Sequence, residues 1–350
     1  MSADLTCEVM GRLGVITLDR PKALNALNLE MVQELDALLE HWAMHPAVDA
    51  VLIRSASERA FCAGGDVRSI GILPEPEDRE ALGRAFFSTE YRVNHRIGTF
   101  PKPFIALMAG ITMGGGLGIS VLGSRRIVGE TLRMAMPETV LGLFPDVGAS
   151  WFLNRCPGAI GRYLALTGAT LGAADALEAK LATHHVRVEH FDALVAALAG
   201  MASLDEASVD GVIEGYVAPI EDCTLAGRRP VIDKLFAGQD LDAVIRRVDE
   251  EVNGKEWMHV MQATIDRACP TSLRATWKRM LSGEEQTLQN VLTDDLRMAV
   301  RMVGREDFAE GVRAILIDKD QAPMWSPKTL DKVTAADVAA LLKPLESMSK

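Results

Sequence analysis

Short apolar runs alternate with longer segments of helical periodicity along the first half of the chain. In the segment 29–42, apolar residues recur every three or four positions, and Asn28 stands where a helix N-cap is expected. A second amphipathic pattern covers the segment 79–96. Strands are predicted at the apolar runs 15–18, 50–54, 104–107 and 126–128. This alternation predicts an α/β fold.

The second half of the chain is dominated by Ala- and Leu-rich patterns of helical period. These patterns start at about residue 158 and include the segments 193–204 and 288–302. No low-complexity linker and no internal repeat divides the sequence. We therefore expect a core domain over 1–205 and a helical C-terminal region over 206–350 that covers the functional site.

One stretch of the sequence, 104–124, carries no charged residue over 21 positions, which is long enough to cross a membrane. It contains six glycines and follows Pro101 and Pro103. Because glycine weakens a continuous helix, the stretch is better interpreted as a buried strand, a turn and a short helix. We therefore expect no transmembrane helix here.

Two glycine-rich segments carry the first indication of chemistry. Four glycines lie within 114–118, and Gly64 and Gly65 follow the predicted strand 50–54. A backbone without side chains lets a ligand approach closely, and its N–H groups can stabilise a developing negative charge. Gly65 and Gly115 are therefore candidate donors of an oxyanion hole. Tightly packed cores also use such stretches, so the pattern by itself leaves a structural role open.

Two acids follow in apolar surroundings that contain prolines. Glu138 comes directly after Pro137, and Asp146 comes directly after Pro145. A carboxylate among apolar residues is either costly or functional. An acid after proline is also common at the start of a helical turn, so here too the local pattern allows a structural role.

Seven motif segments lie at 14–27, 61–66, 102–107, 110–116, 135–139, 142–148 and 308–320. Together they resemble the enoyl-CoA hydratase/isomerase (crotonase) superfamily, and the resemblance extends over nearly the whole chain. It implies an α/β fold with a crotonase-like ββα spiral core and a C-terminal helical region. The segments 142–148 and 308–320 are similar to a thioester-hydrolase subgroup of that superfamily.

The resemblance implies roles for the glycines and the acids. Backbone N–H groups of Gly65 and Gly115 would bind the thioester oxygen of an acyl-CoA. Glu138 would act in catalysis, and Asp146 would be the second acid of the hydrolase subgroup. Gly115, Glu138 and Asp146 would also contact the substrate. Glu90 on the preceding helix would do the same, although the amphipathic pattern alone would place a lone glutamate in solvent.

The same resemblance implies a binding loop for coenzyme A. Lys22 or Arg68 would lie near its phosphates. We expect no further cofactor and no metal ion. The loop that would hold the adenine end consists of Ala63, Gly64, Gly65 and Asp66.

One position departs from the hydratases of the superfamily. Where a hydratase carries its first catalytic glutamate, three residues after Gly115, this chain has Gly118. This departure argues against ordinary hydration, and the resemblance to the hydrolase subgroup implies an acyl-CoA thioester hydrolase for a short 3-hydroxyacyl-CoA, such as the 3-hydroxyisobutyryl-CoA of valine breakdown. Glu138 would either attack the thioester or activate a water. An enoyl-CoA isomerase or hydratase-type enzyme and a non-catalytic acyl-CoA-binding scaffold are the alternatives.

Composition narrows the expected partners. The chain of 350 residues has a formal net charge of −11, which argues against nucleic acid and against an anionic membrane surface. The five cysteines contain no CxxC pair, and Cys62 is more typical of a small buried residue than of a nucleophile. The first residues show no apolar signal core, so a cytoplasmic location is expected. A homo-oligomer is compatible with the family resemblance.

Overall fold

Two β-sheets lie at the centre of the computed structural model, which describes residues 3–252 and 254–345. Within these residues the strands are β1 (Leu5–Met10), β2 (Leu13–Leu18), β3 (Ala50–Ser55), β4 (Ala60–Cys62), β5 (Phe104–Met108), β6 (Ile111–Met113), β7 (Arg125–Val128), β8 (Arg133–Ala135) and β9 (His184–His185). One sheet has the order β1-β2-β3-β5-β7-β9, and the other has the order β4-β6-β8. Neighbouring strands are parallel except β1 and β2, which are antiparallel.

Helices surround both sheets and make up most of the second half of the chain. In the described residues they are α1 (Leu29–Met44), α2 (Val67–Gly71), α3 (Pro76–Gly98), α4 (Gly115–Gly118), α5 (Ala149–Phe152), α6 (Ile160–Thr167), α7 (Ala173–Glu178), α8 (Phe191–Ala199), α9 (Glu206–Glu214), α10 (Thr224–Leu235), α11 (Leu241–Glu251), α12 (Glu256–Arg267), α13 (Pro270–Gly283), α14 (Leu288–Gly304), α15 (Glu306–Val312) and α16 (Ala335–Leu341). The α/β prediction is confirmed.

The central strand β3 is apolar from Ala50 to Ile53, where both faces of its sheet are covered. Val51 and Ile53 belong to the large core cluster, which includes apolar residues of α1 and α3. Leu52 points to the opposite face, into a smaller cluster that includes apolar residues of α8 and α9. Asn28 caps α1 as predicted, because its side chain accepts a hydrogen bond of 2.8 Å from the amide of Met31.

Helices α3 and α14 pack closely along their length, which ties the C-terminal half of the chain to the core. A Cβ on Gly83 would lie 2.7 Å from Val303 Cγ2, and a Cβ on Gly98 would lie 2.5 Å from Leu288 Cδ2. Gly83 and Gly98 are 15 residues apart, and so are the residues that they contact, Val303 and Leu288. The contacts run in opposite directions along the two helices. Two antiparallel helices therefore stay in contact over about four turns.

Most predicted elements are confirmed, and one helix is shorter than predicted. The charge-free stretch 104–124 opens with the two strands β5 and β6 and the short helix α4. The helix predicted at 193–204 is wrong at its end, because α8 stops at Ala199 and Gly200 follows as its C-cap. The amide of Leu204 then lies 3.4 Å from Asp49 Oδ2, outside any helix. In the described residues no helix is both long and apolar enough to span a membrane.

The division at residue 205 stays a prediction. Helix α9 follows that boundary, yet Val209 and Ile213 pack with α8 residues on the same face of the large sheet. The predicted ranges 1–205 and 206–350 also include residues 1, 2, 253 and 346–350, which lie outside the described residues.

Candidate active site

The loop after β4 pairs with the segment around Leu27, and the amide of Gly65 points away from that segment. Leu27 donates its amide hydrogen to Gly64 O at 2.8 Å, and the amide of Asp66 donates to Leu27 O at 2.8 Å. Successive amides of an extended segment point to opposite sides, so the N–H of Gly65 faces the other way. Among the described residues no backbone carbonyl accepts a hydrogen bond from it.

The amide of Gly115 also has no backbone acceptor in the part of the chain that the structure describes, for a different reason. Gly115 is the first residue of α4, and the first amides of a helix have no partner within the helix. Gly114 precedes it with φ of +49°, a conformation that glycine adopts without strain. A Cβ on Gly115 would lie 3.1 Å from the nitrogen of Gly65. The structure therefore places the two predicted donors beside each other.

A cavity of about 60 Å³ lies beside these two amides. Glu90, Glu138 and Asp146 all contribute to its wall, so three carboxyl groups from separate segments meet at one small space. The remaining lining residues are the neighbours of the two glycines and a set of apolar side chains, Ala63, Gly64, Val67, Phe87, Met113, Gly114, Pro137, Leu141 and Leu143.

Glu138 opens a 3-10 turn (Glu138–Leu141) that is separated from β8 by two residues. Its side chain is 7% exposed, and Oε2 has no hydrogen-bond partner within the described part of the chain. Burial raises the pKa of Glu138 well above its usual value, and the charge of Asp146 raises it further. A Cβ on Gly114 would lie 2.7 Å from Glu138 Oε1, so the glycine makes room for this carboxyl group.

Asp146 differs from the other two acids because it has a hydroxyl partner. Tyr91 on α3 donates a hydrogen bond of 2.5 Å to Asp146 Oδ2. Burial raises the pKa of Asp146 to about 7, the hydrogen bond from Tyr91 opposes this rise, and Asp295 adds to it. The next residue, Val147, has φ of +51°, a strained conformation for a β-branched residue.

Glu90 lies at the cavity, so the alternative of a solvated glutamate is wrong. Its side chain is 1% exposed, because α3 turns this position toward the glycines of α4. A Cβ on Gly115 would lie 2.4 Å from Glu90 Oε1. Burial raises the pKa of Glu90 well above its usual value, and the charges of Asp146 and Glu138 raise it further.

The space beside Gly118 is filled by other residues. A Cβ at this position would lie 2.7 Å from Asn94 Nδ2 and 2.8 Å from Val147 Cβ. Both distances are shorter than normal contacts of a Cβ. The segment that carries Asp146 therefore occupies the place into which a side chain at position 118 would extend.

The predicted coenzyme A loop is held by residues that the sequence analysis did not assign. Asn25 is buried, and its Nδ2 donates to Phe61 O at 3.0 Å. Asp66 caps α2 through the amide of Ser69 at 3.3 Å and pairs with Arg20 at 3.0 Å. Gly64 has φ of +106°. These contacts fix the loop 63–66, and nothing in them tests whether it binds coenzyme A.

Cys62 lies directly behind this loop and is a poor nucleophile. It is fully buried, and burial raises the pKa of its thiol to about 12. Its Sγ accepts a contact of 3.4 Å from the amide of Gly64. This environment is that of a small packing residue, as the sequence indicated.

The C-terminal motif 308–320 packs against the turn that carries Glu138. A Cβ on Gly311 would lie 2.5 Å from the backbone of Leu141, and a Cβ on Gly142 would lie 2.5 Å from Asp307 O. The motif's charged residues pair with one another, because Arg313 contacts Glu310 at 2.8 Å and also contacts two aspartates of the motif. The motif therefore supports one wall of the cavity.

Sequence reasoning missed four residues around Asp146. Tyr91 and Asn94 lie on α3 at helical spacing from the buried Phe87, and this position on the apolar face was a usable signal. Asp295 on α14 accepts a hydrogen bond of 3.0 Å from the amide of Gly148, and Arg279 pairs with Asp295 at 2.9 Å. No local pattern indicates that these two distant residues meet the segment 145–148.

Curated relatives share most of the chain. The mitochondrial 3-hydroxyisobutyryl-CoA hydrolase of Xenopus laevis is 41% identical over 329 residues, which are 93% of this chain and 84% of the relative. The human protein of the same name is 38% identical over 350 residues, 98% of this chain and 89% of the relative. Both names include a mitochondrial location, so the prediction of a cytoplasmic location is contradicted. That prediction depended on the first residues, which show no apolar signal core.

Solved structures and a family model agree with the fold. A carnitinyl-CoA dehydratase of Mycobacterium thermoresistibile superposes with a TM-score of 0.90 at 34% identity, covering 99% of this chain and 98% of that one. An enoyl-CoA hydratase of Rhodobacter sphaeroides 2.4.1 superposes with a TM-score of 0.86 at 39% identity, covering 98% of each. The family model described as enoyl-CoA hydratase/isomerase matches residues 13–342. The chain belongs to the enoyl-CoA hydratase/isomerase family.

Proposed function

We propose that this chain hydrolyses the thioester of 3-hydroxyisobutyryl-CoA to 3-hydroxyisobutyrate and coenzyme A, a step of valine breakdown. The observation that carries the proposal is the small cavity lined by three buried carboxyl groups and by two glycines whose amides have no backbone acceptor among the described residues. Relatives that this chain matches over most of their length are named for this activity. The chemistry needs donors for an oxyanion and a group that activates or replaces water, and the cavity wall provides both.

The two amides act on the oxygen of the thioester. When a nucleophile attacks the carbonyl carbon, that oxygen gains a negative charge, and the N–H groups of Gly65 and Gly115 donate hydrogen bonds to it. Each such donor is worth about 3 to 4 kcal/mol in the transition state of comparable reactions. Collapse of the tetrahedral intermediate breaks the carbon–sulfur bond, and coenzyme A leaves.

Glu138 is proposed to supply the nucleophile in one of two ways. It either removes a proton from a water that attacks the carbonyl, or it attacks directly and forms a mixed anhydride that water then opens. In the first route the proton taken from water passes to the sulfur as the bond breaks. Both routes require the ionised carboxylate of Glu138, so both become faster as the pH rises through its raised pKa.

Asp146 and Glu90 are proposed to bind the acyl end of the substrate. Asp146 lines the cavity, where it can accept a hydrogen bond from the 3-hydroxyl group or hold the water. Glu90 faces the same space from α3. Because burial disfavours the charge of both groups, either can also donate a hydrogen bond when protonated.

Coenzyme A is proposed to lie along the loop of Ala63, Gly64, Gly65 and Asp66. Lys22 and Arg68 are exposed, which suits a contact with phosphate groups. No cofactor beyond the coenzyme A of the substrate is proposed. A homo-oligomer stays a prediction, and light scattering of the purified protein tests it.

The test compares products across a panel of esters. Purified protein is mixed with 3-hydroxyisobutyryl-CoA, and free thiol is measured with a chromogenic disulfide. Crotonyl-CoA and a 3-enoyl-CoA are tested in parallel for hydration and isomerisation. Thiol release from the first ester, and neither reaction with the other two, supports the proposal. Hydration or isomerisation without thiol release would overturn it in favour of another activity of the family, and tight binding without turnover would indicate a scaffold.

The variant Glu138→Gln tests the role of the carboxyl group. We expect thiol release to fall by a factor of about 10³ or more, with little change in the Kd for an acyl-CoA ester, because the amides that bind the oxygen stay in place. Glu285→Gln is the matched control, since Glu285 is exposed on the surface. Thiol release by Glu138→Gln at the unmodified rate would remove Glu138 from the mechanism.

A further inference from the structure

Tyr91 is the only group with a hydroxyl hydrogen bond to any of the three cavity acids among the described residues. Its hydroxyl donates to Asp146 Oδ2 at 2.5 Å, and both residues are buried. Asp146 belongs to the cavity wall, whereas in this part of the structure Tyr91 does not. The tyrosine therefore stands behind Asp146, where it contacts the carboxyl group and not the space for the substrate.

The position of the phenol ring is well determined by its surroundings. The ring of Phe87, one turn earlier on α3, stacks on it with centroids 5.6 Å apart and planes inclined by 29°. The backbone after Asp146 is fixed independently, because Gly148 donates its amide hydrogen to Asp295 Oδ2 at 3.0 Å. Donor and acceptor thus belong to two separately held segments.

We propose that Tyr91 is a positioning residue for the hydrolysis proposed above, one that holds Oδ2 of Asp146 and leaves Oδ1 to bind the substrate hydroxyl or the attacking water. The proposal rests on that proposed function. A phenol that already donates to one oxygen fixes the rotation of the carboxyl group, so the other oxygen meets the substrate in one orientation.

The hydrogen bond from Tyr91 also affects the ionisation of Asp146, because several charged and titratable groups surround that carboxyl group. Glu90 and Glu138 face it across the cavity, and Asp295 lies behind it on α14, where Arg279 of α13 partly neutralises that aspartate. All three acids disfavour a further negative charge. The hydroxyl of Tyr91 is the side-chain group that favours the charge through a hydrogen bond, and it lowers the pKa of Asp146 against the effect of burial.

The direct test is Tyr91→Phe, which removes the hydroxyl and keeps the ring. The expected sign follows from the hydrogen bond: without the donor the pKa of Asp146 rises, so more of it is protonated at a given pH. We expect the acid limb of the kcat/KM profile for 3-hydroxyisobutyryl-CoA to move by about one unit to higher pH. At about pH 7, where Asp146 is about half ionised in the unmodified protein, kcat should fall about fivefold, with a smaller change in KM. Tyr163→Phe is the control, because Tyr163 is also buried and lies against Phe236.

A double variant separates positioning from packing. If Tyr91 acts through Asp146, then Tyr91→Phe should have no further effect on kcat in a protein that already carries Asp146→Asn. A merely structural role would lower kcat by the same factor in both backgrounds. An acid limb at the same pH in Tyr91→Phe and the unmodified protein would also overturn the proposal.

Substitution of Tyr91 by a fluorinated tyrosine covers the case in which Tyr91→Phe does not fold. A more acidic phenol is a stronger donor, so the acid limb should then move to lower pH, and a limb that stays in place would refute the proposal. Failure of the proposed function looks different, since the unmodified protein would then release no thiol from 3-hydroxyisobutyryl-CoA at any pH. That result would overturn both proposals, whereas hydrolysis without a shift overturns only this one.

Discussion

Replacing Asp146 with asparagine should stabilise the fold, and the gain should grow as the pH rises. The pKa of Asp146 is raised from 3.8 to about 7 in the folded protein, chiefly by burial. Below its ordinary pKa the carboxyl group is protonated in both the folded and the unfolded chain. As the pH rises above that value, the unfolded chain loses the proton first. The stability that the protonated group provides is therefore lost as the pH rises toward about 7.

The magnitude follows from the difference between the two pKa values. Each unit corresponds to about 1.4 kcal/mol, so the ionised Asp146 lowers the free energy of unfolding by about 4 kcal/mol at alkaline pH. Asparagine has nearly the same shape and does not ionise, and its amide oxygen can still accept the hydrogen bond from Tyr91. We expect the stability advantage of Asp146→Asn to increase by about 3 kcal/mol between about pH 5 and about pH 8.

Urea unfolding at a series of pH values measures this advantage directly. Free energies of unfolding are extrapolated to water for Asp146→Asn and for the unmodified protein at each pH, and their difference is plotted against pH. Glu285→Gln, which changes an exposed acid, should give a nearly flat line. A flat line for Asp146→Asn, or a stability advantage that shrinks as the pH rises, would show that the buried carboxyl group is not kept protonated as inferred.

Three further predictions concern activity. The kcat/KM of the unmodified protein should fall as the pH is lowered through about 7, because Asp146 then becomes protonated; a pH-independent rate down to about pH 5 would contradict this. Gly115→Ala should reduce kcat/KM about 10²-fold, since its Cβ would lie 2.4 Å from Glu90 Oε1 and displace an oxyanion donor. Gly118→Glu should not create hydratase activity on crotonyl-CoA, because the new Cβ would lie 2.8 Å from Val147 Cβ. Measurable hydration would show that the segment 145–148 moves to make room for the new side chain.

The sequence predicted the glycine loops because the requirement is local. Gly114 needs a positive φ, and Gly115 needs an absent side chain beside Glu90, so both residue types are visible in the chain itself. Strands such as β3 could be predicted equally well, because burial on both faces requires a continuous run of apolar residues.

Glu90 and Tyr91 show what the local sequence pattern cannot predict. On a helix of 23 residues, a glutamate has the same local pattern whether its face meets water or another helix. Only the packing of α3 against α4 decides that Glu90 is buried among other acids. Burial among other acids raises its pKa, and no spacing along the chain encodes that effect.

The sequence by itself determined the residue types of the site, the alternation of strands and helices, and the family. The tertiary structure alone decided how the site is supported. Asp295 reaches the amide of Gly148 from 147 positions away along the chain. A contact of this kind depends on the antiparallel packing of α3 and α14, which arises from the whole core and is not a property of any one segment. The sequence therefore specifies the groups that do the chemistry, and the fold specifies their distances and their ionisation.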